Sequence, residues 1–484
     1  KFSNKVFCRR LVEYRRRIVM EIILRDLSGV SNLDEVMKTM TSLAEYSLHA
    51  SIMQARVQLR KLYGEPQDED GKIQQIHIIA MGKLGGRELN VSSDIDLIFL
   101  YPQDGFTNGN ISISNYHFFN LLTKDVIGIL QSSNKGEVSF RVDIRLRPHG
   151  DDGSIVISFK KLKKYFLENA TIWDRLAWVK ARVIAGDRAS DLQRMVRPFV
   201  YRRYLDFTVI PELRRLHVNI QRKIGWKGQR KNIKLGRGGI REIEFIVQVL
   251  QLVRGGHEIQ LQGTETLKIL EKIKKNNLLN VDVVNQLEGA YIYLRNLEHR
   301  LMYIDNKQTH TLPFFWTNKK IIANGMGEDS YRNFYHNLSI HRENVRKAFD
   351  SAFWRQDLDQ ATDKILVSNL INLNYSKAAE KVLYNHGYEH PENILQVIRE
   401  FRISSRYQKV PLRSKKNLDS LISTIVNLGC TLKKREVAVT RVIKFLENIC
   451  GRESYLTVLK ENPSSLKRIL KISSASEWGI GLLT

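Results

Sequence analysis

Asp94 and Asp96 stand one residue apart at the head of an apolar run, shortly after the glycine-rich stretch Gly82-Lys83-Leu84-Gly85-Gly86. In an extended segment residues i and i+2 point to one face, so the two carboxylates converge. The upstream glycines permit backbone conformations and a close phosphate approach that a Cβ would block. A hard cation held by one or two carboxylates and completed by water and phosphate oxygens suits such a pair. The expected chemistry is therefore nucleotidyl transfer assisted by one or two magnesium ions. A third carboxylate is expected from Asp143. Alternation over residues 138–146 puts Arg141, Asp143, Arg145 and Arg147 on one side and Val142, Ile144 and Leu146 on the other, toward a core. The polar side then sets a metal ligand beside guanidinium groups suited to phosphate. The amides of Gly85 and Gly86, with Lys83, Ser93, Arg145 and Arg147, are the expected nucleotide and phosphate contacts.

Other glycine-rich readings fail on detail. A P-loop needs Lys followed by Ser or Thr, and Lys83 is followed by Leu84. A dinucleotide fingerprint needs three spaced glycines opening a helix and an acid about 20 residues on, whereas the acids here come too early. The two other closely spaced acidic sets, Asp68-Glu69-Asp70 and Asp357-Leu358-Asp359, follow no strand and glycine turn and read as surface charge.

Gly236-Arg237-Gly238-Gly239 precedes a helical pattern and is a second candidate ligand site. A helix start presents free amides and the positive end of the dipole, so Gly238 and Gly239 would meet an anion there. The same residues also suit a tight packing turn. Glu242 and Glu244 lie about 200 degrees apart on a helix and would not share an ion. Glu244 and Arg241 are the supporting candidates, on one face with Gln248. His149 and Trp173 could line a nucleotide pocket or be structural.

The elements that must position these residues follow from periodicity and punctuation. Residues 12–60 read as helices, ending at the polar stretch 64–71. Strands are expected over 76–81, 96–101 and 138–146, with a helix at 116–131 and an edge strand at 155–158. From Leu162 onward the chain reads as helical, with clear patterns at 240–252, 284–302 and 339–353. The expected architecture is α+β: a small mixed-sheet core embedded in a mostly α-helical chain. The expected division is a helical segment over 1–70, a catalytic core over 71–190, a helical domain over 191–355 that completes the site, and a helical spacer over 356–484.

Composition bounds the partners. The 484 residues carry a net charge of +26, but the basic residues are scattered, with no dense tail and no zinc finger, homeodomain or aromatic RNA-binding signature. Nucleic acid is not the expected partner. Charged residues interrupt every apolar run, so no membrane span is expected. The three cysteines, Cys8, Cys430 and Cys450, match no zinc or redox spacing, and a reducing cytoplasm is the simplest compartment. The chain begins at Lys1 without an initiator Met and reads as a fragment.

These motifs also carry a resemblance. Residues 81–101, Arg141-Val142-Asp143-Ile144-Arg145-Leu146-Arg147-Pro148, Trp173-Asp174-Arg175 through Lys180-Ala181-Arg182, Val200-Tyr201-Arg202-Arg203-Tyr204-Leu205-Asp206, the segment 234–248 and residues 295–313 are similar to blocks of the bifunctional glutamine synthetase adenylyltransferase/adenylyl-removing enzymes. The resemblance covers nearly the whole chain. It implies a nucleotidyltransferase core related to DNA polymerase beta, with the acidic triad on Asp94, Asp96 and Asp143. That superfamily often has Gly-Ser where this chain has Gly85-Gly86, which would leave phosphate contact there to backbone amides. The family carries two catalytic units, and one is present here. Ile240-Arg241-Glu242-Ile243-Glu244-Phe245 looks more like the adenylyl-removing half, and the tail from Tyr455 to Pro463 resembles the spacer between halves. The implied activity is phosphorolytic removal of AMP from a glutamine synthetase tyrosine, giving ADP, with adenylylated glutamine synthetase and a PII signal protein as partners. ATP-dependent adenylylation is the alternative within this class. A non-catalytic module docking glutamine synthetase or PII is the alternative outside it.

Overall fold

The computed structural model describes residues 4–134, 136–202, 231–305, 307–353, 380, 383, 384, 387–430, 432 and 434–476. Its contacts define two compact units, Lys1–Phe349 and Asp350–Thr484. The first contains every residue singled out above for chemistry. Most of Val200 to Asp206, including Arg203, lies outside the described residues, as does Asp357-Leu358-Asp359.

The first unit opens with two long helices, α1 (Asn4–Leu27) and α2 (Leu33–Tyr63). Asn32 caps α2 by accepting from the Glu35 amide, and Asp34 and Glu35 favour the positive end of its dipole. Gly64 ends it at φ 76°, where a Cβ would lie 2.4 Å from both Asn108 Oδ1 and Gly109 N. The sheet follows in strands β1 (His77–Ala80) and β2 (Ile95–Tyr101), separated by the short helical turn α3 (Gly82–Gly85). Helix α4 (Asn115–Leu130) leads to β3 (Val142–Asp143) and β4 (Val156–Ser158). Helices α5 (Phe159–Glu168) and α6 (Ile172–Trp178) precede β5 (Arg182–Ala185).

Strand β2 is central. It pairs antiparallel with β1 on one side, while on the other it pairs in parallel with β3 near its start and with β4 near its end. Strand β5 closes the far side of β1, antiparallel. The sheet is thus mixed, as expected. Its alternation explains the core: Ile95, Leu97, Phe99 and Tyr101 share one face of β2 and pack with Leu48 and Ile52 of α2 and Phe118, Phe119 and Leu122 of α4.

Two expectations are corrected. The strand expected over 138–146 is only Val142–Asp143, because residues 145–150 fold into consecutive turns that end its alternation. Strand β5 lies in a stretch read as helical. Four residues carry too little periodicity to declare a strand, and pairing with β1 decides the matter.

Among the described residues the rest of the unit is mainly helical. Helix α7 (Ala189–Val200) follows β5, and after the break in described residues come α8 (Ile240–Arg254), α9 (Thr266–Lys275), α10 (Val281–Asp305), α11 (Trp316–Gly325) and α12 (Tyr331–Phe353). Most of α8 is buried on every side, including Glu242, Glu244, Gln248 and Gln251. The second unit is built from α13 (Pro391–Ile403), α14 (Leu412–Gly429), α15 (Arg435–Ile449), α16 (Glu453–Glu461) and α17 (Pro463–Ala475). They surround a separate core that includes Ile394, Ile425, Val439, Ile443 and Leu470. Among the described residues no helix is long and apolar enough to cross a membrane.

Candidate functional site

The parallel register of β2 and β3 pairs Ile95 with Val142 and Asp96 with Asp143. Registered residues on parallel strands point to the same face, about 4.8 Å apart, so Asp96 and Asp143 emerge side by side. Asp94, two residues before Asp96, joins them. All three line one cavity of about 350 Å³, together with Ser93, Arg145 and Leu146.

The loop that delivers Ser93 and Asp94 is held from several directions. Arg295 of α10 donates to the Glu88 carbonyl and to Asn90 Oδ1, both at 2.5 Å, and His299 Nε2 lies 3.0 Å from the same Asn90 oxygen. Arg15 donates to the Val91 carbonyl and Arg141 to that of Ser92. Gly82 adopts φ 52°, and a Cβ there would lie 2.7 Å from Asp96 Oδ2. A side chain at this position would press on the carboxylate it faces.

The three carboxylates differ in surroundings. Arg141 Nε donates to Asp94 Oδ1 at 2.5 Å. Arg145 binds Asp143 with both Nε and a terminal nitrogen, the latter at 2.6 Å from Oδ2, and this holds the Asp143 carboxyl below the usual carboxylate range. Asp96 has neither arginine on it. Burial, then the negative charge of Asp143 and Asp94, pushes its carboxyl up to about 6, against the pull of Lys234. Among the described residues no group of three or more His, Cys, Asp or Glu side chains is arranged to hold a metal ion. With Arg145 on Asp143 and Arg141 on Asp94, two carboxylates are already partnered.

Helical segments form the opposite wall. Thr171 and Asp174 make a reciprocal capping box that fixes the start of α6. From there Trp173, Leu176, Ala177 and Lys180 fall at helical spacing along the cavity. Arg241, Glu244 and Gln248 do the same on α8. The Lys180 ammonium is buried and donates to Glu88 Oε2 at 2.6 Å, Glu244 Oε1 at 3.0 Å and Thr266 Oγ1 at 3.2 Å. Although burial opposes it, Lys180 with Arg241 pulls the Glu244 carboxyl down to about 2. Arg241 also sets its guanidinium 5.8 Å from the Trp173 ring centre.

Several expected contacts are corrected. The Gly85 and Gly86 amides are not free for phosphate: they donate to the Met81 and Gly82 carbonyls within α3. Gly85 is required for packing instead, since a Cβ would sit 1.9 Å from the Lys180 carbonyl oxygen. Lys83 lines the cavity, but its ammonium donates to Glu298 Oε1 of α10 at 2.7 Å. Arg147 is buried and donates to the carbonyls of Ile144, Asp151 and Gly153, so it shapes the loop after β3. Gly238 and Gly239 form the packing turn: Gly238 N donates to Glu242 Oε2 at 2.8 Å, and Gly239 N to the Gly236 carbonyl. The next amides, of Ile240 and Arg241, go to the Ile233 and Lys234 carbonyls. His149 packs edge-on against Tyr165 and does not line the cavity, whereas Trp173 does. Ser93, Arg145, Arg241 and Glu244 reach the cavity as expected. Ser93 Oγ is buried there with no hydrogen-bond partner.

Lys234 and Lys180 were not singled out for chemistry from the sequence. Lys234 lines the cavity too, and among the described residues its ammonium forms no ion pair. It lies two residues before the glycine turn at 236–239. Lys180 left no local signal, because its partners lie 92 and 64 residues away.

Comparisons with known proteins match the segments that carry these residues. A family model described as glutamate-ammonia ligase adenylyltransferase matches residues 3–195, which include all three aspartates. A second, described as GlnD PII-uridylyltransferase, matches residues 214–353. The chain is 40% identical over 465 residues to the bifunctional glutamine synthetase adenylyltransferase/adenylyl-removing enzyme of Chromobacterium violaceum, covering 96% of this chain and 52% of the relative. It is 41% identical over 470 residues to that of Aromatoleum aromaticum (97% and 50%) and 36% identical over 478 residues to one from Neisseria meningitidis (98% and 53%). The chain spans about half the length of these relatives. Over nearly its whole length it is thus similar to about half of these bifunctional glutamine synthetase adenylyltransferase/adenylyl-removing enzymes.

Proposed function

We propose that this chain is the adenylyl-removing nucleotidyltransferase unit, with a DNA polymerase beta-like core, which takes AMP from adenylyl-tyrosine of glutamine synthetase by phosphorolysis. The observation that carries this reading is the β2–β3 register, which sets Asp96 beside Asp143 in a cavity that Asp94 and Lys234 also line. The sequence Ile240-Arg241-Glu242-Ile243-Glu244-Phe245 supports the removing half.

The donor set suits magnesium. Three carboxylates line one cavity, and Asp96, whose carboxyl is raised by burial and then by the charge of Asp143, carries no arginine. Asp94, Asp96 and Asp143 would hold the ion, with Arg145 leaving Asp143. When bound, magnesium polarises phosphoryl oxygens and offsets charge on the departing oxygen.

The chain's own residues position the reactants. Lys234 steadies the attacking hydrogen phosphate. An oxygen of that phosphate forms a bond to the phosphorus of AMP as the bond from phosphorus to the tyrosine oxygen breaks. The electron pair leaves with the tyrosine oxygen, which takes the proton of hydrogen phosphate, and the products are ADP and unmodified tyrosine. Positioning and charge neutralisation supply the catalysis. The match of residues 214–353 to a PII-uridylyltransferase model supports PII as a regulatory partner.

The test follows the mass of adenylylated glutamine synthetase incubated with this chain, magnesium and phosphate, beside unmodified glutamine synthetase with ATP. Loss of one AMP per subunit with formation of ADP is expected. Gain of AMP by the unmodified enzyme would assign the transferring activity instead, and no change in either would leave a docking module.

A further inference from the structure

We infer that Gln248 reads the adenine base of the nucleotide that this cavity holds. The inference rests on the nucleotidyl-transfer reading above and deepens it. Gln248 is 4% exposed, lines the cavity that contains the three aspartates, and carries a buried Oε1 with no hydrogen-bond partner. The other buried polar side chains of α8 are engaged: Glu242 accepts from Gly238 N, Glu244 from Lys180, and Gln251 donates to the Leu261 and Gly263 carbonyls. A buried carboxamide left without a partner is costly, and native proteins rarely keep one unless something else satisfies it.

The surroundings specify what would satisfy it. A carboxamide presents one donor and one acceptor side by side in a plane, which matches the amino hydrogen and the neighbouring ring nitrogen of adenine. Trp173 lines the same cavity, 37% exposed, with the Arg241 guanidinium over its ring. An indole face and a guanidinium plane are surfaces on which a purine stacks. The carboxylates that would hold the phosphate end lie on the strand wall of the same cavity, and Gln248 lies on the helical wall. A nucleotide laid across it would therefore place its base on α8 and its phosphates at β2 and β3.

Calorimetric titration in magnesium, with ADP and with the diphosphate of purine riboside, which lacks the 6-amino group, tests this. The wild-type chain is expected to bind ADP about tenfold more tightly than the analogue, and Gln248→Met to bind both at the weaker affinity. Gln248→Asn, which keeps polarity and withdraws the amide by one methylene, gives the same readout if the methionine variant fails to fold. A variant that keeps the preference for ADP would overturn the assignment of Gln248 while leaving AMP removal from glutamine synthetase intact. A wild-type chain that binds neither nucleotide and removes no AMP would overturn the functional reading together with it.

Discussion

The chain has two glycine-rich turns, at residues 82–86 and 236–239, and both suit an anion on the same physical grounds, yet their surroundings differ. In the first, Gly82 faces Asp96 so closely that a Cβ would lie 2.7 Å from its Oδ2, and Gly82 and Lys83 line the cavity. In the second, the amides go to Glu242 and to neighbouring carbonyls, and a Cβ on Gly238 would lie 2.1 Å from the Arg342 carbonyl oxygen. One turn borders the cavity of the three aspartates and the other locks a helix start to α12. Glycine spacing states only that the backbone must come close to something. What it comes close to is decided by elements far along the chain.

The largest effect should come from the carboxylate that the first turn faces. Asp96→Asn is expected to lower AMP removal by about 10²-fold or more, as loss of one group that offsets developing charge typically does. Stability should hold or rise. Folding raises the proton affinity of Asp96, so its charged form is disfavoured in the native state near neutral pH, and a neutral isostere removes that penalty. Wild-type turnover in a phosphorolysis assay would remove chemistry from the first turn and erase the contrast.

Next comes the link between the two turns. Lys180 joins Glu88, two residues past the first turn, to Glu244 on the helix that the second turn starts. Lys180→Met leaves two buried carboxylates facing each other, and removing one partner of a buried pair costs about 3–5 kcal/mol. Chemical denaturation measures it. The acid limb gives a second reading. Glu244 sits at about 2 in the folded chain against an ordinary 4.5, so its stabilisation is complete above pH 4.5 and is lost as pH falls toward 2. That loss should be absent in Lys180→Met. An unchanged denaturation midpoint would show that the turns are not joined through this ammonium.

Gly238→Ala sharpens the comparison from the other side. The residue sits at φ 70° against a backbone carbonyl, so the substitution should cost about 1–3 kcal/mol. The rate per folded molecule should stay at the wild-type level. A variant that folds normally but loses phosphate affinity would return the second turn to the ligand site.

The convergence of Asp94, Asp96 and Asp143 on one cavity was legible from the sequence because it rests on local rules. Alternation sets Asp94 and Asp96 on one face, and a short downstream strand supplies Asp143. Helix periodicity likewise placed α4, α8 and α10 to within a few residues. Arg147 was misread because the alternation was extended beyond Asp143 into a turn. Lys83 was assigned to phosphate because Glu298, its partner, lies 215 residues away. Strand β5 failed for the same reason, since only pairing with β1 makes those four residues extended. What depended on spacing within one element could be read, and what depended on a distant partner could not.

The smallest expected effect concerns Arg145, and it separates a phosphate ligand from a placeholder. Arg145 is largely exposed and donates Nε to Oδ1 and a terminal nitrogen to Oδ2 of Asp143, the carboxylate that would have to turn to magnesium. If the guanidinium occupies that carboxylate only until a cation arrives, the two compete for the same oxygens. Arg145→Gln then relieves the competition and removes a positive charge from the cavity rim. Magnesium should bind about two- to tenfold more tightly to the variant, a modest change because solvent screens the exposed partner. The melting temperature should not move, since an exposed pair contributes little to folding. Magnesium titration of both proteins without nucleotide decides it. Weaker binding in the variant would mean that Arg145 orders Asp143 for the metal, and the strand wall would then be as rigidly prearranged as the second glycine turn.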